Sequence, residues 1–303
     1  MKSVEGNRPR AHVSAQFFRL ATLCGFAVPL LAQNFRVAPS GIRQGETLHL
    51  SAPAQAAKAR MNGVTIPLFA QSDSTAFGLM PVGVEQEPGD CQLEFVDVHG
   101  AVLHSITVPI HDAHFPRQNI VISQELSQLH ATTDEADTVR VFLTAASPER
   151  YWQEPFRAPV PGCMNSPFGA SRLHNGKPTG DFHGGVDQRG AAGTPIHAAA
   201  AGTVRIARLF QLRGATVGID HGQGLETIYM HMSRIAAKEG AHVEAGDVIG
   251  YVGSSGRATG PHLHWSVYAN GHSVSPLQWT KLTPCGSVPP RPRPKKKTKR
   301  TKS

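Results

Sequence analysis

The chain has 303 residues, of which 40% are hydrophobic and 17% charged, and this suits two ordinary globular domains with appendages. Its formal net charge of +8 arises at the C-terminus, because eight Lys or Arg and no acidic residue follow Gly286. The remainder is close to neutral, which argues against a nucleic-acid-binding face, and the 30 Gly and 23 Pro favour turn-rich β structure over a helix bundle.

Residues 1–32 have the pattern of a secretory signal peptide. Four basic side chains lie in the first nineteen residues, and between residues 20 and 32 only Thr22 is polar. This apolar run is too short to cross a bilayer comfortably, and it ends at a small residue, Ala32, as a cleavage site requires. The sequence therefore predicts export to the periplasm or cell envelope, or secretion, with an uncleaved N-terminal anchor as the alternative.

Residues 33–115 predict a small N-terminal β-sandwich. Short apolar or alternating stretches are separated by turn signals such as Asn62-Gly63. The segment loosely resembles an immunoglobulin-like domain. No group of its side chains suggests a catalytic or binding site, so we interpret it as a structural or wall-positioning module.

Residues 116–157 predict a short helical connector. The stretch from Ser123 to Pro155 has no glycine, and its apolar residues recur at helical spacing. Thr132 lies where an N-cap would begin a second helix. We expect two helices that either pack against the following domain and its cleft or act as a plain linker.

Residues 158–282 are again rich in predicted strands joined by short glycine-containing loops. Four stretches have clear strand patterns, at residues 202–207, 216–220, 226–230 and 247–252. The region predicts a compact, mainly antiparallel β fold, so the fold class of the whole chain is mainly β. Residues 283–303 predict a disordered basic tail, because proline is the only apolar residue type after Val288.

Histidines of this region recur in a pattern that suits a metal ion. His183 and Asp187 would supply one nitrogen and one oxygen, and in a strand His262 and His264 would point to the same face. One of these two imidazoles could bind the metal and the other serve the reaction. Three protein ligands leave a fourth tetrahedral position open, as in a catalytic zinc site. A further histidine, His231, follows Tyr229 by two residues.

The order and spacing of these stretches resemble the LytM/lysostaphin-type zinc metallopeptidases, which cut peptide bonds in bacterial peptidoglycan. The family signature reads H-x-G-x-D, then Y-x-H, then G-x-x-x-G-P-H-L-H, and it is matched by residues 183–187, 229–231 and 256–264. The resemblance extends from about Pro159 to Pro276. It implies the family's compact antiparallel-β peptidase fold, its zinc ion and its endopeptidase activity.

The resemblance also implies roles for the individual side chains. One Zn²⁺ per chain would be held by His183, Asp187 and His264. His262 would act as the general base, and His231 would stabilise the oxyanion with Tyr229 beside it, although the two histidines could exchange roles. No H-E-x-x-H occurs in the sequence, so no glutamate is placed to act as the base.

These expectations describe an exported, monomeric zinc metalloendopeptidase that acts on the stem peptides of peptidoglycan. Without a recognisable wall-binding repeat at the C-terminus, the D-alanyl–diaminopimelate cross-link is favoured over a glycine bridge. One alternative is a non-catalytic LytM-like protein that activates or binds another wall hydrolase. Another is an endopeptidase directed at glycyl-glycine bonds or at proteins.

Several residues outside the signature leave alternatives open. Cys163 and Cys285 bracket the catalytic region, so a disulfide could join its two ends and leave Cys91 as a buried single thiol. The basic tail could hold the protein near anionic envelope polymers or lipids, or it could be a solvated end. No nucleic acid is expected as a partner.

Four other polar residues near the signature are not expected to take part in the reaction. His174 and His221 are interpreted as surface or hydrogen-bonded structural histidines. Arg172 and Asn175 lie shortly before His183, in a segment that could cover the cleft and regulate it.

Overall fold

The computed structural model describes residues 34–286. The predicted signal peptide and residues 287–303 of the predicted tail lie outside this range. Strands dominate the described part, which confirms the predicted fold class. None of the helices within residues 34–286 has the length and hydropathy needed to cross a membrane.

Residues 36–111 form two β-sheets around one apolar core. Their strands are β1 Arg36–Ala38, β2 Ile42–Arg43, β3 Thr47–Pro53, β4 Lys58–Met61, β5 Val64–Pro67, β6 Phe69–Ala70, β7 Thr75–Pro81, β8 Gly89–Val96 and β9 Val102–His111. One sheet has the order β1-β3-β7-β6 and the other β2-β9-β8-β4-β5. Leu50 of the first sheet and Phe95 of the second belong to the same buried cluster, so the sheets pack face to face. The immunoglobulin-like character of this sandwich stays a prediction.

A two-residue turn explains the sharpest hairpin of the sandwich. Asn62 and Gly63 join β4 to β5 with φ angles of 48° and 80°. Such left-handed angles are those of the type I′ turn, for which Asn-Gly is the preferred pair. The turn signal in the sequence thus fixed the register of this hairpin.

The segment after the sandwich is not purely helical, which corrects the predicted connector. It contains β10 (Arg117–Ile120), a single helical turn α1 (Gln124–Ser127) and α2 (Thr133–Thr144). α2 begins where the sequence predicts, because the Thr132 hydroxyl accepts a hydrogen bond from the Glu135 amide at 3.1 Å. The strand was missed because its pairing partner lies far away in the sequence.

Residues 164–279 contain all strands of a large antiparallel sheet, two strands of a smaller sheet and a short helix. The elements are β11 Met164–Ser166, β12 Ser171–His174, β13 Lys177–Phe182, β14 Val186–Arg189, β15 Pro195–His197, β16 Gly202–Phe210, β17 Gly214–Gly222, β18 Leu225–Ile235, β19 His242–Val243, β20 Val248–Val252, β21 His262–Ala269, β22 His272–Val274 and α3 Pro276–Trp279. The main path of the sheet is β11-β14-β21-β18-β17-β16-β19, with β15, β20 and β22 paired beside it. A separate sheet joins β10, β12 and β13, with β10 parallel to β12. The four predicted strand patterns lie in β16, β17, β18 and β20.

The sandwich contacts the large sheet directly. Thr47 exchanges two hydrogen bonds of 2.7 Å with the side chain of Gln278, and Asn270 donates to the carbonyl of Leu79 at 2.7 Å. Beside these bonds, the His49 ring of β3 stacks on Trp279 with ring centres 5.5 Å apart. The sandwich is therefore held against the peptidase-like region by both polar and aromatic contacts.

The two outer cysteines of this region form a disulfide. Cys163 and Cys285 are bonded, so the two ends of the region are joined. The Met164 amide donates to the carbonyl of Thr283 at 2.9 Å, so the first residues of the predicted disordered tail run beside β11. Cys91 is a free thiol, but it is half-buried rather than buried.

Candidate metal centre and its cleft

Neighbouring strands of the large sheet bring the predicted ligands together. β14 pairs with β21 so that Asp187 stands directly opposite His264. His183 precedes β14, and the chain turns between them at Gly184-Gly185. A Cβ at Gly185 would lie 2.5 Å from the carbonyl oxygen of Trp265, so only glycine allows this close approach.

The three predicted ligands point their donor atoms at one another. Asp187 Oδ1 lies 3.0 Å from His183 Nε2 and 2.8 Å from His264 Nδ1, and the two nitrogens are 3.0 Å apart. Such spacings approach the edge of about 3.3 Å for a tetrahedron of ligands at about 2.0 Å. Two imidazole nitrogens and a carboxylate oxygen at these distances suit a Zn²⁺ ion, because a cation between them relieves the repulsion of their lone pairs.

Outer hydrogen bonds fix the tautomer that metal binding requires. His183 Nδ1 donates to the carbonyl of Pro167 at 2.8 Å, which leaves the lone pair of Nε2 directed at the ligand cluster. His264 Nε2 is 3.0 Å from the hydroxyl of Ser266 and presents Nδ1 to the cluster. The donor set and its orientation therefore fit a zinc site with an open position.

Gln118 of β10 supports two of the three ligands from outside. Its Oε1 accepts hydrogen bonds from Ser166 Oγ at 2.7 Å and from Arg172 Nη1 at 2.6 Å. Ser166 Oγ lies 3.1 Å from His183 Nδ1, and Arg172 Nη2 lies 3.4 Å from Asp187 Oδ2. Sequence reasoning missed Gln118, because it lies in the segment assigned to the helical connector and far from the signature.

Burial and hydrogen bonding shift the pKa of each of two ligands, Asp187 and His264, in opposite directions. Burial alone would raise the pKa of Asp187, but hydrogen bonds with His183 and His264 hold it well below its ordinary value. Burial lowers the pKa of His264 to about 4, against the opposing effect of Asp187. Asp187 is therefore ionised and His264 neutral near pH 7, as metal ligands need to be.

The two remaining signature histidines also face the cluster. His231 and His262 have ring centres 5.1 Å apart, and His262 Nε2 is 3.8 Å from Asp187 Oδ1. His262 Nδ1 donates to the carbonyl of Gly260, and His231 Nδ1 to that of Ser255, both at 2.8 Å. Each Nε2 therefore carries a lone pair, which fits a proton acceptor.

The tautomer of His231 bears on its predicted role at the oxyanion. Burial, together with the charges of His264 and His262, lowers the pKa of His231 to about 3. Its neutral imidazole already uses its one N–H on the carbonyl of Ser255. Donation from Nε2 to an oxyanion does not fit this arrangement.

Tyr229 is not brought to the cleft, contrary to the predicted contribution beside His231. Its side chain is fully buried, and its hydroxyl accepts from the Ala199 amide at 2.9 Å and lies 3.1 Å from Thr227 Oγ1. Burial raises its pKa to about 12. His231 has φ of 61°, and a β-bulge places both Met230 and His231 opposite one residue of β17. The bulge breaks the alternation, so Tyr229 and His231 face different sides.

Other histidines have the positions that their structural interpretation suggests, with one exception. His221 is completely buried, bonded to the carbonyl of Ala201 at 2.7 Å and to Thr227 Oγ1 at 2.8 Å. Burial lowers its pKa to about 4, so it is a neutral structural residue. His174, in contrast, lines the cleft.

A cavity of about 320 Å³ contains the ligand cluster and extends away from it. The connector forms one wall with three apolar side chains, Ile120, Ile122 and Leu126. Asn175 holds this wall in place, since its side-chain amide bonds both the N–H and the C=O of Ile122 at 3.1 and 3.0 Å. The segment that was expected to cover the cleft thus anchors the connector, while Arg172 reaches the metal ligand.

α2 supports the opposite wall. The carboxylate of Glu135 is fully buried and accepts from the backbone amides of Leu212 and Arg213 at 3.0 and 3.2 Å. The Arg213 carbonyl in turn accepts from the His231 amide at 3.1 Å. The connector therefore contacts both sides of the cleft and is not a plain linker.

Residues 181–276 match the sequence profile of Peptidase family M23. This part of the chain is a peptidase M23 domain. This confirms the predicted LytM/lysostaphin-type resemblance and the predicted enzyme class, a metallopeptidase. The profile begins after Ser166 and Arg172, so two side chains that contact the ligands lie outside it.

Two curated relatives show how much of the chain the M23 resemblance covers. The DD-carboxypeptidase/endopeptidase Mpg of Neisseria meningitidis serogroup B is 41% identical over 121 residues, which are 40% of this chain and 28% of that protein. The peptidoglycan DD-endopeptidase ShyA of Vibrio cholerae is 35% identical over 126 residues, 42% of this chain and 29% of ShyA. The chain spans less than a third of the length of these curated relatives.

A peptidase M23 structure from Pseudomonas aeruginosa shares more of the architecture. It is 28% identical, with a TM-score of 0.57, over 73% of this chain and 86% of that chain. Because the match exceeds the M23 profile, the similarity of fold extends beyond residues 181–276.

Proposed function

We propose that the protein is a zinc metalloendopeptidase that hydrolyses peptide cross-links of bacterial peptidoglycan, with the D-alanyl–diaminopimelate bond as its substrate. The observation that carries this proposal is the convergence of His183 Nε2, Asp187 Oδ1 and His264 Nδ1 within 3.0 Å of one another, inside an open cleft. The names of the two curated relatives, which are DD-endopeptidases, support the substrate class.

In this proposal the chain holds one Zn²⁺ through His183, Asp187 and His264. Bound zinc supplies a Lewis acid that polarises the scissile carbonyl and acidifies water. His262 takes the proton of the attacking water at Nε2 and returns it to the leaving amine, because its Nδ1 is committed to the carbonyl of Gly260. His231 offers a second acceptor nitrogen that orients this water, and an exchange of the two histidines is the alternative assignment.

We further propose that the protein is exported to the cell envelope and acts as a monomer. The N-terminal sequence pattern and the location of the proposed substrate support export. The basic C-terminus would then lie near anionic envelope polymers or lipids, and its attraction to them would weaken as the salt concentration rises.

Digestion of purified cross-linked peptidoglycan tests the enzymatic proposal. We expect the zinc-loaded protein to release monomeric muropeptides, identified by mass spectrometry, and a chelator to stop the release. His264→Ala should lower the rate by more than about a hundred-fold, the upper range for loss of an outer partner of a ligand. His272→Ala, which alters an exposed histidine on β22, is the matched control and should retain the wild-type rate.

Other outcomes lead to the two alternatives. If the protein binds zinc and is folded but leaves every cross-link intact, the activator or binding function replaces the enzymatic one. If it cuts a glycyl-glycine peptide and not the D-alanyl–diaminopimelate cross-link, the enzyme class holds and the proposed substrate is wrong.

A further inference from the structure

Three arginines line the cleft, and only two of them are neutralised by carboxylates within residues 34–286. Arg172 Nη2 lies 3.4 Å from Asp187 Oδ2, and Arg213 Nη1 lies 2.7 Å from Glu135 Oε1. Arg257 instead donates to the carbonyl of Leu129 at 3.5 Å, and no carboxylate of the described chain forms an ion pair with it. Arg257 thus brings an uncompensated positive charge to the cleft.

The backbone fixes the position of Arg257 beside the reacting groups. Its amide donates to the carbonyl of Leu212 at 2.9 Å. The preceding Gly256 has φ of 69°, and a Cβ there would lie 2.4 Å from the Gly214 nitrogen. This tight turn belongs to the loop that leads into β21 at His262, so Arg257 and the proposed general base share one short segment.

The surroundings of Arg257 leave this end of the cleft positive. Burial and the charges of Arg257 and Arg172 lower the pKa of His174, which is therefore neutral near pH 7. Asp181 is the acidic side chain that acts on His174 from the same cleft, and it is exposed to solvent. A half-buried guanidinium without a counter-ion, facing a cavity, is suited to bind an anion of the substrate.

The chemistry of the proposed substrate places an anion close to the bond that is cut. An amide formed through the α-amine of an amino acid leaves the α-carboxylate of that residue beside the scissile nitrogen. In a D-alanyl–diaminopimelate cross-link this carboxylate is free, whereas a glycine bridge continues into another amide. The leaving amine must approach His262, so the carboxylate attached to the same carbon arrives near the Arg257 loop.

We propose that Arg257 binds the free α-carboxylate of the residue that supplies the scissile amine. This rests on the proposed function and deepens it, because it makes a carboxylate next to the cut bond a determinant of specificity. A planar guanidinium can donate hydrogen bonds to both carboxylate oxygens, which positions the leaving group as well as attracting it.

A pair of substrates that differ in one group tests this specificity. The first is a cross-linked muropeptide dimer whose diaminopimelate α-carboxylate next to the scissile amide is free, and the second is the same dimer with that group as a carboxamide. For the wild-type protein we expect kcat/KM to be about ten- to a hundred-fold higher on the free acid, the range for a hydrogen bond to a charged group.

Variants then assign the preference to the residue. Arg257→Gln should cleave the free acid and the amide at similar rates, and Arg257→Lys should retain part of the preference through its charge. Arg234→Gln is the matched control, because Arg234 is an exposed arginine of the same sheet that stacks on Tyr251 outside the cavity. Thermal unfolding and zinc content of each variant check that the fold and the metal centre are intact.

Each remaining outcome contradicts the proposal. Equal cleavage of both dimers by the wild-type protein overturns it and leaves the proposed function standing, and this arm does not depend on any variant folding. If folded Arg257→Gln still prefers the free-acid dimer, another cationic group binds the substrate carboxylate. If neither dimer is cut, the proposed function fails and this inference falls with it.

Discussion

The sandwich and the large sheet differ in what they bury. Within the sandwich strands, Thr47 is the polar residue that is buried, and the core of the sandwich is made of apolar side chains. The large sheet buries several titratable and polar side chains, among them Glu226, Thr227 and His231. Burying polar groups costs stability unless each has a partner, and hydrogen bonds such as that between His221 and Thr227 hold these side chains in defined directions.

The comparison teaches where to look for chemistry in this fold. In the sandwich, apolar burial explains the position of nearly every inward side chain. In the large sheet, positions are explained by hydrogen bonds that end at the ligand cluster, such as that from His183 to Pro167. Three substitutions test this contrast, and they follow in order of decreasing expected effect.

Gln118→Leu should give the largest effect. It removes the acceptor shared by Ser166 and Arg172 and so loosens two ligands at once. We expect zinc affinity to fall by about ten- to a hundred-fold, the usual result of losing an outer partner of a ligand, measured by competition with a chromophoric chelator. Gln92→Leu, on an exposed glutamine of the sandwich that bonds Thr107, is the control and should leave the affinity unchanged.

Gln118→Leu also separates two functions of the connector. Unchanged zinc affinity in the folded variant would show that the hydrogen bonds of Gln118 do not stabilise the metal centre. A gain in hydrolytic rate would show that the connector restrains the enzyme. In the arrangement described above, we expect neither.

Tyr229→Phe tests whether this tyrosine serves structure or reaction. The variant loses the hydroxyl that accepts from the Ala199 amide, and a buried amide without its acceptor should lower the free energy of unfolding by about 1–3 kcal/mol. Urea unfolding measures this loss. We expect kcat on the cross-linked dimer to stay close to the wild-type value, and Tyr251→Phe, with a half-buried ring, to change neither quantity appreciably.

The opposite result for Tyr229→Phe would restore the role predicted from the sequence. A large fall in kcat with unchanged stability would mean that the hydroxyl acts at the oxyanion despite its burial. This outcome would require Tyr229 to leave its partners Ala199 and Thr227 during the reaction.

Glu226→Gln should have the smallest effect, and the effect should depend on pH. Burial, together with the nearby charge of Asp220, raises the pKa of Glu226 well above its ordinary value of 4.5. Between these two pKa values the folded protein binds more protons than the unfolded chain, so stability falls as the pH rises. Its carboxylate oxygens have no hydrogen-bond partner in the described chain, so removing the charge should stabilise the protein by about 1 kcal/mol at pH 8.

The pH profile of Glu226→Gln provides the decisive comparison. We expect the difference in melting temperature between the variant and the wild-type protein to shrink toward zero below pH 4.5, where the wild-type side chain is protonated in both states. Glu87→Gln, an exposed glutamate of the sandwich, should show no such trend. Parallel profiles for Glu226→Gln and the wild type would contradict the burial argument.

Local sequence patterns were sufficient to predict the mainly β fold, the start of α2 at Thr132 and the M23 domain. These features depend on local periodicity, on a hydrogen bond between Thr132 and Glu135, and on short motifs in which His183, Asp187 and His264 keep a fixed order. Local patterns of this kind survive in the sequence, because strand alternation and turn chemistry act over a few residues.

The side chains that support the site are brought to it by contacts between distant segments, which local patterns do not reveal. Gln118 reaches Arg172 across 54 positions of sequence, in a strand whose partner is distant, so no local pattern reveals it. Tyr229 turns away from the cleft because the bulge at His231 interrupts the alternation on which the prediction depended. No carboxylate within residues 34–286 pairs with Arg257, because packing between distant segments places the acidic side chains of the cleft elsewhere.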